Sequence, residues 1–378
     1  GSEMCIRDRH WVVYRLYSTN MKYLCTFDNA TTCLDGRVRT HGFHFTHVNP
    51  VCKASVVSFW GSGVEAWSFS SSQYVQNAVN NVEEYLHKLG KCLPKKATSP
   101  LSNNYRPESD VTPELTPALA SYYQSLIGIL RWICELGRVD LTCEISLMAS
   151  CMALPREGHL EQLFRMFAYL KNKHNSEMVF DPSEPEIDLG SFQKQDWKNT
   201  VYGETSEEIP ANALEPRGFG FKIRAYVDSD HAGDSVTRRS RTGFLVYLNS
   251  APIYWTSKKQ TSIETSSFGS EFIAMKVCCE YLRGLRYKLR MMGIPCEFPS
   301  YIYGDNQSVL ANSTMPFSQL KKKSSSIAYH FVREGVSKDE WRTTYINTHD
   351  NIADLFTKPL PGGEKRTKFV KMLLHHIT

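Results

Sequence analysis

The chain has 378 residues, 42% hydrophobic and 22% charged, which excludes fibrous, collagen-like and wholly disordered proteins. Its most apolar run, Leu126–Cys134, contains Arg131 and falls well short of the ~18 apolar residues a membrane span needs; the first thirty residues show no apolar signal-peptide core, so neither membrane nor secretory character is expected. The net charge of +5 is uneven: residues 1–216 carry 20 Lys+Arg against 25 Asp+Glu (−5), and residues 217–378 carry 24 against 14 (+10), so a polyanion partner would be handled by the second part. The 11 cysteines include no Cys-x-x-Cys and fit the reduced thiols of an intracellular protein. Cys25, Cys33, His41, His44, His47 and Cys52 match no zinc-finger spacing, and no zinc is expected.

Residues 1–62 show no sustained periodicity and are left unassigned, with Gly1–His10 foreign in character to the rest of the chain. In 63–92, Ser70–Ser72 can cap a helix whose apolar face is Tyr74, Val75, Ala78, Val79, Val82, Tyr85, Leu86 and Leu89. Residues 93–116, with four prolines, read as a linker. Residues 117–173 read as three helices, with stops at Gly137 and Pro155–Gly158. The stretch 174–216 is acidic and reads as a second, protease-sensitive linker. From 217 to 378 the pattern changes. Strands are expected at Phe221–Val227, Thr242–Leu248, Ile253–Ser257, Ser300–Tyr303 and Arg342–Asn347, with helices over Ser267–Met292, from Gln307, over Ile327–Val336 and through much of Ile352–His376. This is a mixed α/β pattern, a five-stranded sheet with flanking helices.

Four acids fall at junctions of that scheme. Asp228 ends the first strand, Glu271 lies in the first turns of the long helix, Asp305 follows the fourth strand, and Asp354 opens a late helix. Carboxylates brought to one point repel unless divalent cations sit among them, and hard oxygen donors suit Mg²⁺ or Mn²⁺. Two such ions about 4 Å apart would clamp a phosphodiester. Asp230 rivals Asp228, Glu264 rivals Glu271, and Asp350 rivals Asp354.

The run YVDSDHAGD, RRSRTGFLVYL, PIYWTSKKQ, SSFGSEFIA, YGDNQS, YHFVRE and NIADLFTKPL, spread over about residues 222–373, resembles the ribonuclease H domain of copia-type LTR-retrotransposon Pol polyproteins. SYYQSLIGILRWICELGRVDLTCEISLMAS with AYLKNK resembles the segment joining reverse transcriptase to ribonuclease H, and GVEAWSFSSSQYVQNAVNNV resembles the end of the polymerase palm. The resemblance implies a ribonuclease H-like domain preceded by a mainly helical reverse-transcriptase remnant or connection region. It implies two Mg²⁺ or Mn²⁺ ions on Asp228, Glu271, Asp305 and Asp354, cleavage of RNA in RNA–DNA hybrids, other retrotransposon polyprotein products as partners, and a cytoplasmic virus-like particle or the nucleus as location. Arg238, Arg239, Arg241, Lys258, Lys259, Asn306 and Gln307, with the loop Lys321–Lys323, are the expected nucleic-acid contacts. Three features depart from the family pattern: His349 stands only five residues before Asp354, Phe268-Gly269-Ser270 replaces the usual Thr-Glu-Ala, and Ser-Ser-Ser-Ile-Ala replaces a His-Ile-Asp-like stretch. No Asp-Asp pair occurs, so primer extension is not expected. The alternatives are a decayed element product that at most binds nucleic acid, and an integrase-type nuclease using Asp228, Asp305 and Glu340.

Overall fold

The computed structural model describes residues 53–59, 64–320 and 326–376. The Cys25–Cys52 cluster and Lys321–Lys323 lie outside the described residues. Strands β1 (Lys53–Phe59) and β2 (Val64–Ser70) form a hairpin. The sequence shows no periodicity at β1, which reads KASVVSF and is too short to declare itself. Helix α1 (Ser72–Lys88) comes next and buries Val75, Ala78, Val79, Val82 and Leu86, the face its spacing predicts. Helices α2 (Pro117–Glu135), α3 (Thr142–Ala149) and α4 (Glu157–Asn172) complete the helical block. Thr116 caps α2 by accepting from Leu119 N, and Gly137, at φ +99°, turns the chain out of it. Tyr123, Leu126, Leu130, Leu163 and Phe167 close one core with α1.

Strand β3 (Ser176–Phe180) leads to β4 (Ile223–Asp230), β5 (Arg241–Leu248) and β6 (Ala251–Lys259), then α5 (Ser267–Met291), β7 (Ser300–Gly304), α6 (Gln307–Thr314), α7 (Ser326–Ser337), β8 (Trp341–Tyr345), the short α8 (Asp354–Thr357), α9 (Glu364–Leu373) and β9 (Leu374–His376). The five-stranded sheet has the order β6-β5-β4-β7-β8; β4, β5 and β6 pair antiparallel, whereas β7 is parallel to both β4 and β8. This is the expected mixed α/β pattern, a five-stranded mixed sheet with flanking helices. Strand β5 is buried throughout because both faces are covered. Phe244, Val246 and Leu248 join Phe272, Met275 and Leu282 of α5, while Leu245 and Tyr247 join Leu355, Phe356 and Phe369 from α8 and α9.

The stretch 174–216, read from sequence as an acidic linker, is anchored to its surroundings. It carries β3, and Trp197 lies in the main core at 4% exposure. Phe192 meets Tyr301 and Tyr303 edge-on, and Glu207 pairs with Arg286 and Arg290, both at 2.6 Å. Acidity and prolines conceal these anchors, since four scattered aromatics among 43 residues make no periodic signal. Strand β9 pairs with β3 and completes a second sheet, β1-β2-β3-β9. Among the described residues, no helix is long and apolar enough to cross a membrane.

Candidate metal centre

Parallel pairing fixes the first two acids. Arg224, Ala225 and Tyr226 of β4 lie beside Tyr301, Ile302 and Tyr303 of β7, so both strands end at the same edge. Asp228 stands two residues before the end of β4, and Asp305 directly follows β7. The N-terminal turns of α5 cover that edge and bring Glu271 over it. One carboxylate oxygen from each of Asp228, Glu271 and Asp305 lies within 4.8 Å of the others. Asp228 is 1% exposed, and the other two are half-buried.

Buried polar groups hold the frame. The Gln260 amide, 6% exposed, donates to Ser270 O (2.9 Å), Thr242 Oγ1 (3.0 Å) and Ser229 Oγ (3.4 Å), tying α5 to β4 and β5. Ser266 Oγ caps α5 by accepting from Gly269 N at 3.3 Å. Glu264 packs its carboxylate against Gly269, where a Cβ would overlap Oε2, so a side chain there would displace the end of Glu264. That placement makes Glu264 a helix-start carboxylate outside the three-acid group. Gly243 lies opposite Asp228 in register, and a Cβ there would meet Thr357 Cγ2 at 2.6 Å and Phe356 Cβ at 2.8 Å. Asn351, fully buried, donates to Val227 O (3.0 Å) and accepts from Ala353 N (3.2 Å), which pins the start of α8 to β4.

The electrostatics stem from crowding. Burial, and then the neighbouring Asp354 and Asp305, push the Asp228 carboxyl up to about 7, although Lys358 and a Thr357 hydroxyl bond pull the other way. Burial, with Asp228 and Asp305 beside it, raises Glu271 well above the carboxylate range. Three oxygen donors that resist sharing negative charge fit a hard divalent ion and no soft one.

Asp354 is adjacent but turned. It is not in the three-acid group; its carboxylate pairs with Lys358 at 2.6 Å and with Lys365. Burial would raise its carboxyl, but these two ammonium groups outweigh burial and hold it low. Of the rivals, Asp230 is half-buried and lines a cleft beside the centre, and Asp350 is exposed and paired with Lys368. Glu340, just before β8, accepts two bonds from Arg283 of α5 at 2.8 and 3.0 Å.

The expected nucleic-acid contacts divide. Arg238, Arg239, Lys258 and Gln307 are exposed. Lys259 pairs with Asp234 at 2.5 Å, and Asn306 caps α6 by accepting from Ser308 N and Val309 N. Arg241 is buried, and its guanidinium donates to Ser146 Oγ (2.6 Å) and Ser257 Oγ (3.3 Å), holding α3 to β6. The cleft, about 390 Å³, is lined by Arg106, Arg239, Arg241, Lys259 and Lys358 together with Asp230 and Asp234. Sequence reasoning assigns no role to Thr357 and Lys358 of LFTKPL; the available signal was that Lys358 stands four residues from an expected ligand, across a one-turn helix.

No family model matches the chain. Among curated proteins it is 28% identical over 238 residues to the retrovirus-related Pol polyprotein from transposon RE1 of Arabidopsis thaliana, covering 63% of this chain and 14% of that one. It is 22% identical over 287 residues to the corresponding polyprotein of transposon TNT 1-94 from Nicotiana tabacum, covering 75% of this chain and 19% of that one. The chain is a relative of copia-type transposon Pol polyproteins. It spans a small part of their length. Among solved structures, ribonuclease H1 from the archaeon Halobacterium salinarum is 16% identical with a TM-score of 0.29, covering 36% of this chain and 94% of that one.

Proposed function

We propose that this Pol relative is a divalent-metal-dependent ribonuclease that hydrolyses the RNA strand of RNA–DNA hybrids. The observation that carries the reading is the convergence of Asp228, Glu271 and Asp305 at one sheet edge, with their oxygens inside 4.8 Å. Asp228, Glu271 and Asp305 would hold Mg²⁺ or Mn²⁺, with Asp354 beside them. A divalent ion bound there supplies Lewis-acid activation of water and stabilisation of the leaving oxygen. Asp228 bridges the two parts of the centre, Gln260 and Asn351 keep the acids in register, and exposed Arg238, Arg239 and Lys258 offer charge to phosphates. Discrimination of hybrid from duplex DNA would come through 2′-hydroxyls in the minor groove.

The test is one gel with a hybrid labelled on both strands, deoxynucleotides, and Mg²⁺ or EDTA. RNA fragments that form only with Mg²⁺, with no lengthening of DNA, are expected. Folded protein that leaves the RNA intact in Mg²⁺ and in Mn²⁺ would sink the reading.

A further inference from the structure

Two of the acids at the candidate centre already have cationic partners from the chain itself. Lys358 Nζ lies 3.4 Å from Asp228 and 2.6 Å from Asp354, bridging the three-acid group to the fourth acid, and Lys365 pairs with the other oxygen of Asp354. Thr357 donates its hydroxyl to the Asp228 oxygen that faces Lys358. The backbone at Lys358 is extended (φ −127°, ψ 137°), as a residue before proline must be, so Pro359 fixes where this side chain begins. With all four carboxylates ionised, as metal ligands are, the two ammonium groups leave two negative charges, which one divalent cation neutralises.

We propose that Lys358 is a tethered counter-cation that fills the Asp228–Asp354 edge, so that without nucleic acid the centre takes one divalent ion, on Asp228, Glu271 and Asp305, rather than two. This rests on the metal-binding reading above and sharpens it. Lys358 is a positioning residue for that ion: it neutralises one side of Asp228 and leaves the other side to the metal. Its side chain is 40% exposed and lines the basic cleft, so a phosphate entering there gives the ammonium a second anion to turn toward. Release of Lys358 from the acids is then coupled to arrival of the strand to be cut.

A salt bridge that merely stabilised α8 would not govern ion count, so the count is the discriminating measurement. The full chain, stripped with EDTA, is titrated with Mn²⁺ alone, free Mn²⁺ being followed by electron paramagnetic resonance and heat by calorimetry. The parent should bind one Mn²⁺ per chain. Lys358→Met should bind two, the second at least roughly tenfold more tightly than any second site of the parent, because a like charge within a few ångströms has gone. Lys358→Arg should behave as the parent, since it restores the charge. Lys358→Gln is titrated beside the Met variant, so that poor folding of one does not decide the outcome. A parent that already binds two ions, or neutral variants that still bind one, would overturn the role of Lys358 and leave the metal centre standing. No binding by any of these proteins would overturn the metal reading and this inference together.

Discussion

Asp305 illustrates what a proposed ligand position costs the bare fold. It sits half-buried against two other carboxylates, and no described residue forms an ion pair with it. Asp305→Asn keeps the shape and removes a charge that the folded chain does not use. It should lower Mg²⁺-dependent cleavage about a hundredfold or more, since several kcal/mol of charge stabilisation are forfeited. Metal-free thermal stability should hold or rise, because repulsion falls. Cleavage kinetics beside a melting curve in EDTA check both halves; an unchanged rate would remove Asp305 from the centre. A second buried acid behaves in the opposite way. Asp140 accepts two bonds from Arg138 (2.9 and 2.8 Å) and one from Tyr169 (2.8 Å). Burial would raise its carboxyl, but Arg138 outweighs burial and holds it down to about 2. Its folded value lies below its unfolded one, so its contribution is complete above about pH 4 and fades as the pH falls toward 2. The part lost should be about 2 kcal/mol, and the stability of Asp140→Asn should fall less steeply over that window than the parent's. Chemical denaturation at pH 5, 4 and 3 measures it; parallel slopes would show that Asp140 is not the group responsible.

At the scale of elements, the sheet edge and the helix ends do the positioning, and they account for what could be read in advance. The strands and helices of 217–378 were legible because each has its own period and is bounded by turn residues; the long helix expected at Ser267–Met292 is observed at Ser267–Met291. Asp228, Glu271 and Asp305 were legible as acids at element junctions. The lysine bridge was not, because an ion pair across α8 depends on how a one-turn helix is pressed onto β4 and β5, which no periodicity records. Nor was the core role of Trp197, which is set by tertiary packing. Gly243 shows how tight that pressing is, since a methyl group there would overlap Phe356 and Thr357. Gly243→Ala should push α8 away from β5, cost about 1–3 kcal/mol as other overpacked sites do, and weaken Mn²⁺ binding by displacing Asp354 and Lys358 together. Unchanged melting and unchanged Mn²⁺ titration in this variant would show that α8 is free to shift without consequence.

For the whole molecule, the question is where the smallest unit that folds begins. Sequence composition places a boundary near 217, and about 160 residues are enough for one core. The contacts argue for an earlier start. Arg366 of α9 is 3% exposed and donates to Glu144 Oε1 (2.6 Å) and to Asp140 O (2.5 Å), both on the upstream helical region. Ser146 donates to Ser257 O at 2.8 Å, β9 pairs with β3, and Trp197 sits in the main core. A chain cut to 217–378 keeps the acids but leaves Arg366 without its anion, β9 without a partner strand and the core without Trp197. Removing the upstream helices also exposes the apolar surface they cover, including Leu355, Phe356 and Phe369 beside Val139. We therefore expect residues 64–378 to unfold in one cooperative transition, and residues 217–378 to melt at least about 10 °C lower or without a cooperative transition. Arg366→Met in the longer chain should reproduce part of the loss by leaving Glu144 buried and unpaired, and Arg366→Met with Glu144→Leu should recover stability, because two apolar side chains of similar size need no ion partner. Calorimetry of the four proteins decides it. Equal melting of the short and long chains would show that the five-stranded sheet is self-sufficient and that the upstream contacts are incidental to its stability.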